Sequence, residues 1–452
     1  MYIDLPGEVE LIISELEKKG FEAWAVGGCI RDSVLNRKPG DWDITTNAKP
    51  AEVKSIFKRT VDTGIQHGTV TVLIKDKSFE VTTYRLDGKY EDSRHPSEVT
   101  FTADLVEDLK RRDFTINAMA YNSRAGLVDA FGGVEDIKKR LIRAVGSPGE
   151  RFKEDALRIM RAVRFSASLD FDIEEKTFEA IKKETGNLKK ISAERIREEL
   201  VKLIASSHPE KLLTLSECGI TSVILPEFDR ELATEQNNQH HQYSVGIHTI
   251  EAMKYSVTFD DELTYDERVV LRLTMLLHDM GKPALKTTDE DGVDHFKGHS
   301  AESVRLAGDI LKRLKFDNAT INRVTRLVKY HDHRKESSPA NVRRTIVAVG
   351  KDLMPLWFKV RRCDVMGQST YIREEKLKEI DSFEKVYRQV LRDGDCLSIA
   401  ELKLNGNDLM ENGVPAGRKV GQTLSAMLDA VLEDPSLNTR EGLLGFLKDN
   451  LK

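Results

Sequence analysis

The chain opens on an amphipathic repeat. In "GEVELIISELEKKG" apolar residues return every three or four positions, which predicts a helix over about residues 7–19, closed by Gly20. The period then shortens. "FEAWAV" (21–26), "DWDITTN" (41–47), "GTVTVLIKD" (68–76) and "SFEVTTYR" (78–85) read as strands, the last two as a hairpin around Lys75–Lys77. Residues 86–106 are polar and rich in Asp, Ser, Arg and Pro, which predicts a mobile loop. After Gly149 helical periodicity takes over, as in "RFKEDALRIMRAVRFSASL" (151–169) and "SAERIREELVKLI" (192–204), with hardly a strand signal. No short-period repeat interrupts it. The pattern predicts a small α/β head on a long all-α body, divided at 1–145, 146–235, 236–370 and 371–452.

Composition narrows this picture. At 452 residues the chain is too long for one core. Apolar content of 40% and charged content of 32% describe a folded protein, neither disordered nor membranous. No apolar run approaches the roughly 20 residues that cross a bilayer, so no membrane partner is expected. The N-terminus carries acidic residues where a secretion signal would be basic. Cys29, Cys218, Cys363 and Cys396 lie far apart, as free thiols in a reducing cytoplasm would. A net charge of −5 means that any nucleic acid must be held by local basic clusters.

Candidate chemistry concentrates in two places. In the head, Asp41 and Asp43 stand two apart on an expected strand, so both carboxylates project from one face. Hard oxygen ligands of this kind suit Mg²⁺, and two such ions can serve a phosphoryl transfer. Glu80, on a neighbouring expected strand, offers a third carboxylate. An isolated Asp-x-Asp is usually a strand end. Here, however, Gly27-Gly28 precedes it, opening an expected helix whose backbone N–H groups can approach a phosphate, with Arg31 to add charge-assisted bonds. That combination is hard to read as a plain turn.

"VGGCIRD" with "GDWDITTNA" resembles the opening motif of the polymerase β-type nucleotidyltransferases, in the branch of class II bacterial tRNA nucleotidyltransferases and poly(A) polymerases. The likeness continues through "RRDFTINAMAYN" (111–122), "LVDAFGGVEDIKKRLIRAVG" (127–146), "RFKEDALRIMRAVRF" (151–165) and "SAERIREEL" (192–200), five ordered motifs in about 200 residues. The resemblance implies a nucleotidyltransferase head, a helical neck that recognises nucleotide and RNA, and Mg²⁺ as cofactor. It implies that Arg112 meets triphosphate oxygens and that Asp113 accepts from a ribose hydroxyl. On a continuous helix Glu154, Arg158 and Arg161 share one face, with Asp155 beside Arg158; ion pairing alone would account for that spacing. In the resembled family Asp155 and Arg158 select CTP or ATP without a template, and Arg161 and Arg164 face phosphates or the primer end. "AERIREEL" is expected to buttress that helix.

The acceptor needs its own argument. Poly(A) polymerases share the head but usually end in a strongly basic extension. This tail, from "LKLNGNDLMENG" to "NTREGLLGFLKDNLK", is not strongly basic and resembles the C-terminal segment of bacterial CCA-adding enzymes. The resemblance therefore implies the tRNA 3′ end as acceptor, CTP and ATP as donors and a tRNA-binding tail. Glu91, Asp92 and Arg94, in the loop 86–101, point to full CCA addition. CC-only or A-only addition, a poly(A) polymerase and a tRNA-binding hydrolase remain the alternatives.

The second place lies in the body, where eight of eleven histidines fall between residues 240 and 333. His248, His278-Asp279 and Asp364 follow the order of HD-type metal phosphohydrolases, and His299 and His331 are further candidates. Imidazoles and carboxylates from separate helices can converge on a divalent transition metal, with Asp279 bridging to a second ion. A lone His-Asp pair is ordinarily a helix-cap contact; four candidate ligands in this order imply an HD-type helical domain over 236–370. Its implied substrates are cyclic 2′,3′-phosphates or 2′-phosphates on damaged tRNA ends.

Overall fold

The N-terminal repeat folds as a helix over Gly7–Lys18 that buries Val9, Ile12, Ile13 and Leu16. Gly20 ends it with φ +84 while Phe21 N–H returns to the Leu16 carbonyl, the left-handed close expected there. The computed structural model describes residues 1–87 and 99–450. They divide into two compact units, Met1–Pro226 and Glu227–Lys452.

In the first unit the strands are β1 (Ala23–Val26), β2 (Asp43–Thr46), β3 (Thr60–Gly64), β4 (Thr69–Ile74) and β5 (Lys77–Thr83). A separate ladder pairs β6 (Arg85–Asp87) with β7 (Val99–Phe101), and β8 (Ala120–Asn122) and β9 (Gly126–Val128) follow. Seven of these form one sheet in the order β3-β4-β5-β2-β1-β8-β9. Only β2 and β5 run parallel, with Asp43 opposite Glu80; the other pairings are antiparallel. The expected hairpin forms, turning through Lys75 at φ +53. The segment 86–106 is not loop throughout, because β6, β7 and a helix at Leu105–Lys110 occupy its ends. Glu91, Asp92 and Arg94 lie outside the described residues. Val26, Tyr84, Leu105, Leu109, Ala118, Ala120 and Val145 pack a core against the sheet.

Helices complete the first unit, among them Pro148–Glu154, Leu157–Leu169 and Ala193–Ile204. The second unit is built from helices, including Val245–Ser256, Tyr265–Leu277, His299–Arg313, Asn318–Tyr330, Met354–Gly367 and Arg373–Asp393. Outside the seven-stranded sheet and the β6–β7 ladder, the ladders among the described residues are only two residues long: Leu141–Ile142 with Asp172–Ile173, and Thr287–Thr288 with Asp294–His295. All four cysteines are free and buried. No described helix is long and apolar enough to cross a membrane.

Candidate functional site

A cleft of about 600 Å³ in the head gathers Gly27, Gly28, Arg31, Asp41, Asp43, Arg112, Asp113, Arg161 and Arg164. Gly27 ends β1 at φ +86 and ψ −131, a conformation that L side chains rarely adopt. A Cβ there would stand 3.0 Å from Arg112 Nη1. The turn thus lets a guanidinium press against bare backbone, with Gly28 opening the helix Gly28–Val34. Asp43 is the first residue of β2; Asp41 lies two positions before it, in the preceding turn rather than on the strand. Glu80 does not line the cleft, but the parallel register sets it directly across from Asp43. Crowding of the Asp43 carboxyl by surrounding protein raises its pKa most, and Glu80 and Asp41 add to the rise against the opposing pull of Arg112. Asp41 and Asp43 offer the cleft hard oxygen donors, the kind a divalent cation takes, and Glu80 is the third carboxylate nearest to them in the register.

The same cleft is also lined by arginines. Arg31 Nη1 donates to Asn117 Oδ1 at 2.8 Å and its Nε to Asp32 Oδ1 at 2.9 Å. Arg161 Nε donates to Asp113 Oδ2 at 2.7 Å, and Arg164 Nε to Glu199 Oε2 at 2.9 Å. The guanidiniums of Arg31, Arg161 and Arg164 surround the Phe165 ring at 5.1, 5.3 and 3.5 Å from its centroid. Burial would lift the Asp113 carboxyl, but Arg161 and then Arg158 hold it down at about 2. Its Oδ1 also accepts from Phe114 N–H at 2.8 Å and Asn117 Nδ2 at 3.3 Å, so both oxygens are engaged within the protein. Asn117, Phe165 and Lys202 line the cleft as well, and the sequence reading did not single them out. Asn117 carried a usable signal, four residues after Asp113 within the same motif. Phe165 read as ordinary core.

The helix expected over 151–165 is broken. Pro148–Glu154 stops at Asp155, which is extended at φ −134 and ψ 104, and a second helix starts at Leu157. The reason is local: Asp155 Oδ1 accepts from Leu157 N–H at 3.0 Å, capping the new helix, as Asp commonly does. Its Oδ2 accepts from Arg195 Nη2 at 2.9 Å. Arg158 is nearly buried, and donates to Glu154 Oε2 at 2.6 Å and to the Arg151 and Arg111 carbonyls at 3.1 and 3.0 Å. Asp155 and Arg158 therefore do not line the cleft. Through Arg195 and Glu199 the helix Ala193–Ile204 braces both the break and Arg164, the buttress expected of "AERIREEL".

In the second unit the histidines converge. His248 Nε2 lies 3.1 Å from His278 Nε2, 3.1 Å from Asp364 Oδ1 and 3.5 Å from Asp279 Oδ2. The other oxygen of Asp279 stands 3.5 Å from His299 Nε2 and 3.7 Å from His331 Nε2, which are 3.3 Å apart. Asp279 thus belongs to both clusters. Nδ1 of His278, His299 and His331 faces the carbonyl of Met275, Phe296 and Val328 at 2.6, 2.9 and 2.7 Å. Each Nδ1 must be the donor there, so in the neutral ring Nε2 is a lone pair aimed inward. The donor atoms of His248, His278 and Asp279, and those of Asp279, His299 and His331, lie within 4.8 Å of one another, a set that fits a divalent metal in each cluster. Gly367 permits the convergence: a Cβ there would fall 2.9 Å from the His248 carbonyl. Burial opposes the charge on Asp279, yet His278 in its protonated form and Lys282 drive its carboxyl well below the usual range. Beside the clusters lies a cavity of about 1070 Å³.

Comparison with known proteins agrees with the head. Residues 23–143 match the family "Poly A polymerase head domain", 170–232 "Probable RNA and SrmB- binding site of polymerase A", and 300–447 "tRNA nucleotidyltransferase domain 2". A CCA-adding enzyme of Lactobacillus helveticus is 35% identical over 97% of this chain and 96% of its own length. One from Streptococcus thermophilus is 36% identical over 98% of both. Among solved structures, the Bacillus stearothermophilus CCA-adding enzyme in complex with CTP superposes with a TM-score of 0.69 at 28% identity, covering 98% of this chain and 96% of that one. The fold is therefore a polymerase β-like nucleotidyltransferase head followed by a mostly helical body, and such a head calls for a divalent metal. The chain belongs to the class II CCA-adding enzymes.

Proposed function

We propose that this chain adds CCA to the 3′ end of tRNA from CTP and ATP, in the cytoplasm. The observation that carries the reading is Asp41 and Asp43 sharing one cleft with four arginines, while the sheet register sets Glu80 across from Asp43. Arg31, Arg112, Arg161 and Arg164 bind the triphosphate, aided by backbone N–H groups at Gly27-Gly28. Mg²⁺ held by Asp41 and Asp43, with Glu80 as third carboxylate, would neutralise charge on the α-phosphate and the departing pyrophosphate. The tRNA 3′-hydroxyl attacks the α-phosphorus and gives up its proton to water, the bond from that phosphorus to the α–β bridging oxygen breaks, and pyrophosphate leaves. Asp155 and Arg158 read the base edge, for which Asp155 exchanges its Arg195 partner for the ring. Asp113 sets the position of Arg161 and approaches the ribose. We assign the head to 1–145, the neck to 146–235, a helical HD-type domain to 236–370 and a tRNA-binding tail to 371–452.

Sequencing tRNA 3′ ends after incubation with CTP plus ATP, and with each alone, tests the claim. Stepwise C, C and A is expected; a long A ladder, or no C, contradicts it. Asp41→Ala should abolish incorporation and leave tRNA binding nearly intact, whereas lost binding would make Asp41 structural.

A second activity is favoured by the two clusters that share Asp279. Divalent transition metals held by His248, His278, Asp279 and Asp364, and by Asp279, His299 and His331, would supply Lewis acidity to a phosphoryl oxygen. Lys282 Nζ, 2.7 Å from Asp279 Oδ2, fixes that carboxylate. On a ribose 2′,3′-cyclic phosphate, water adds to phosphorus and one ribose P–O bond breaks, its oxygen taking the proton. Hydrolysis of bis(p-nitrophenyl) phosphate that survives His278→Ala would contradict the assignment.

A further inference from the structure

Three arginines of the head cleft are anchored on three different elements. Arg31 donates through Nε to Asp32, in its own helix, at 2.9 Å, and Arg161 to Asp113 at 2.7 Å. Arg164 donates to Glu199, in the helix Ala193–Ile204, at 2.9 Å. Asn117 links the first two, accepting from Arg31 Nη1 at 2.8 Å and donating to Asp113 Oδ1 at 3.3 Å. Arg164 stands outside that chain. All three meet at the Phe165 ring.

Guanidiniums gathered in this way repel one another. Burial most, and Arg161 beside it, lower the pKa of Arg164 against the pull of Glu199. The ring can offset that repulsion. An aromatic face carries negative quadrupole density and attracts a cation within about 6 Å of its centroid. Arg31, Arg161 and Arg164 stand 5.1, 5.3 and 3.5 Å from the centroid of Phe165. Phe165 is only 5% exposed, and the attraction is largest where water is excluded. The tilt of the ring is fixed as well. Phe114, wholly buried, meets it edge-to-face at 5.7 Å and 80°, while the Phe114 N–H donates to Asp113 Oδ1, on the carboxylate that holds Arg161. A core phenylalanine needs no charge against its ring; this one has three.

We propose that Phe165 is a positioning residue for nucleotide binding: its ring keeps the guanidiniums of Arg31, Arg161 and Arg164 gathered while the cleft is free of nucleotide, so that the triphosphate meets a preformed cradle. Organising the cradle beforehand spares the ligand that cost on binding. The inference rests on the nucleotidyl-transfer reading above and adds to it a residue that acts through the arginines alone.

The test replaces Phe165 in the full chain by 4-fluoro-, 3,5-difluoro- and 3,4,5-trifluorophenylalanine, which withdraw charge from the ring face and nearly keep its shape. Calorimetry then gives Kd for CTP, ATP and inorganic tripolyphosphate. Each added fluorine should weaken all three ligands by the same factor, reaching about tenfold for the trifluoro ring, the size of one desolvated cation–π contact. The melting temperature should hold, because fluorination leaves the packing intact. Affinities that stay flat or rise along the series overturn the proposal, as does a loss confined to one nucleotide. A Phe165→Leu chain with full affinity, or a wild type that does not bind tripolyphosphate, would equally sink it. Binding is read here without transfer. A wild type that binds all three ligands, weakens along the series and yet adds nothing to tRNA would remove the transfer reading and leave the role of the ring standing.

Discussion

Asp113 keeps a charge where burial disfavours one. Its carboxyl sits at about 2 because Arg161, and then Arg158, outweigh desolvation. A depressed carboxylate contributes stability that is present in full above its unfolded value of about 4 and is lost as pH falls through that value towards 2. Asp113→Asn should therefore lower stability near pH 7 by about 2 kcal/mol or more, since Arg161 is also left without its carboxylate. The gap to wild type should narrow below about pH 4. Urea denaturation at both pH values checks this, and a gap constant with pH would assign the loss to packing. The sequence reading found Asp113 and Arg161 but not their pairing. Partners 48 residues apart, like Arg31 and Asn117 at 86, come together only through the fold, and no local period encodes them.

At the scale of elements, periodicity served where one face of an element is buried and failed where a polar side chain decides. The first helix and the β4–β5 hairpin were legible because alternation and turn residues mark them. The break at Asp155 was not, since a capping aspartate on a polar face leaves the helical pattern on both sides undisturbed. β3 is an edge strand with no buried face to show a period, and β8 and β9, at the other side of the sheet, are only three residues long. The glycine turn after β1 was legible in kind, and the structure adds its reason: positive φ together with contact to Arg112. Gly27→Ala should cost about 1–3 kcal/mol of stability from the forced backbone alone. It should also raise the KM for both nucleotides, because Arg112 must retreat. An unchanged urea midpoint with unchanged KM would show that the turn tolerates a side chain.

Across the whole molecule, modest negative charge conceals two separate acidic donor sets, one in each unit, that ask for different metals. The head offers carboxylates only, which suit a hard ion; the second unit offers imidazoles, which suit a transition metal. Each set should therefore respond to its own ion. Because a bound metal stabilises the folded state by about 2.7 kcal/mol at a hundredfold excess over Kd, Mn²⁺ added to metal-stripped protein should raise its melting temperature. Mg²⁺ should do much less. His278→Ala should lose that Mn²⁺ response while keeping CCA addition with Mg²⁺, and Asp41→Ala should show the reverse pattern. Calorimetry and 3′-end sequencing on the same preparations separate the cases. If His278→Ala retained the full Mn²⁺ shift, the ligand set would be wrong even though the histidines stand within 3.1 to 3.3 Å of one another. If instead it lost CCA addition as well, the two centres would be coupled, and the division of labour drawn from their chemistry would have to be abandoned.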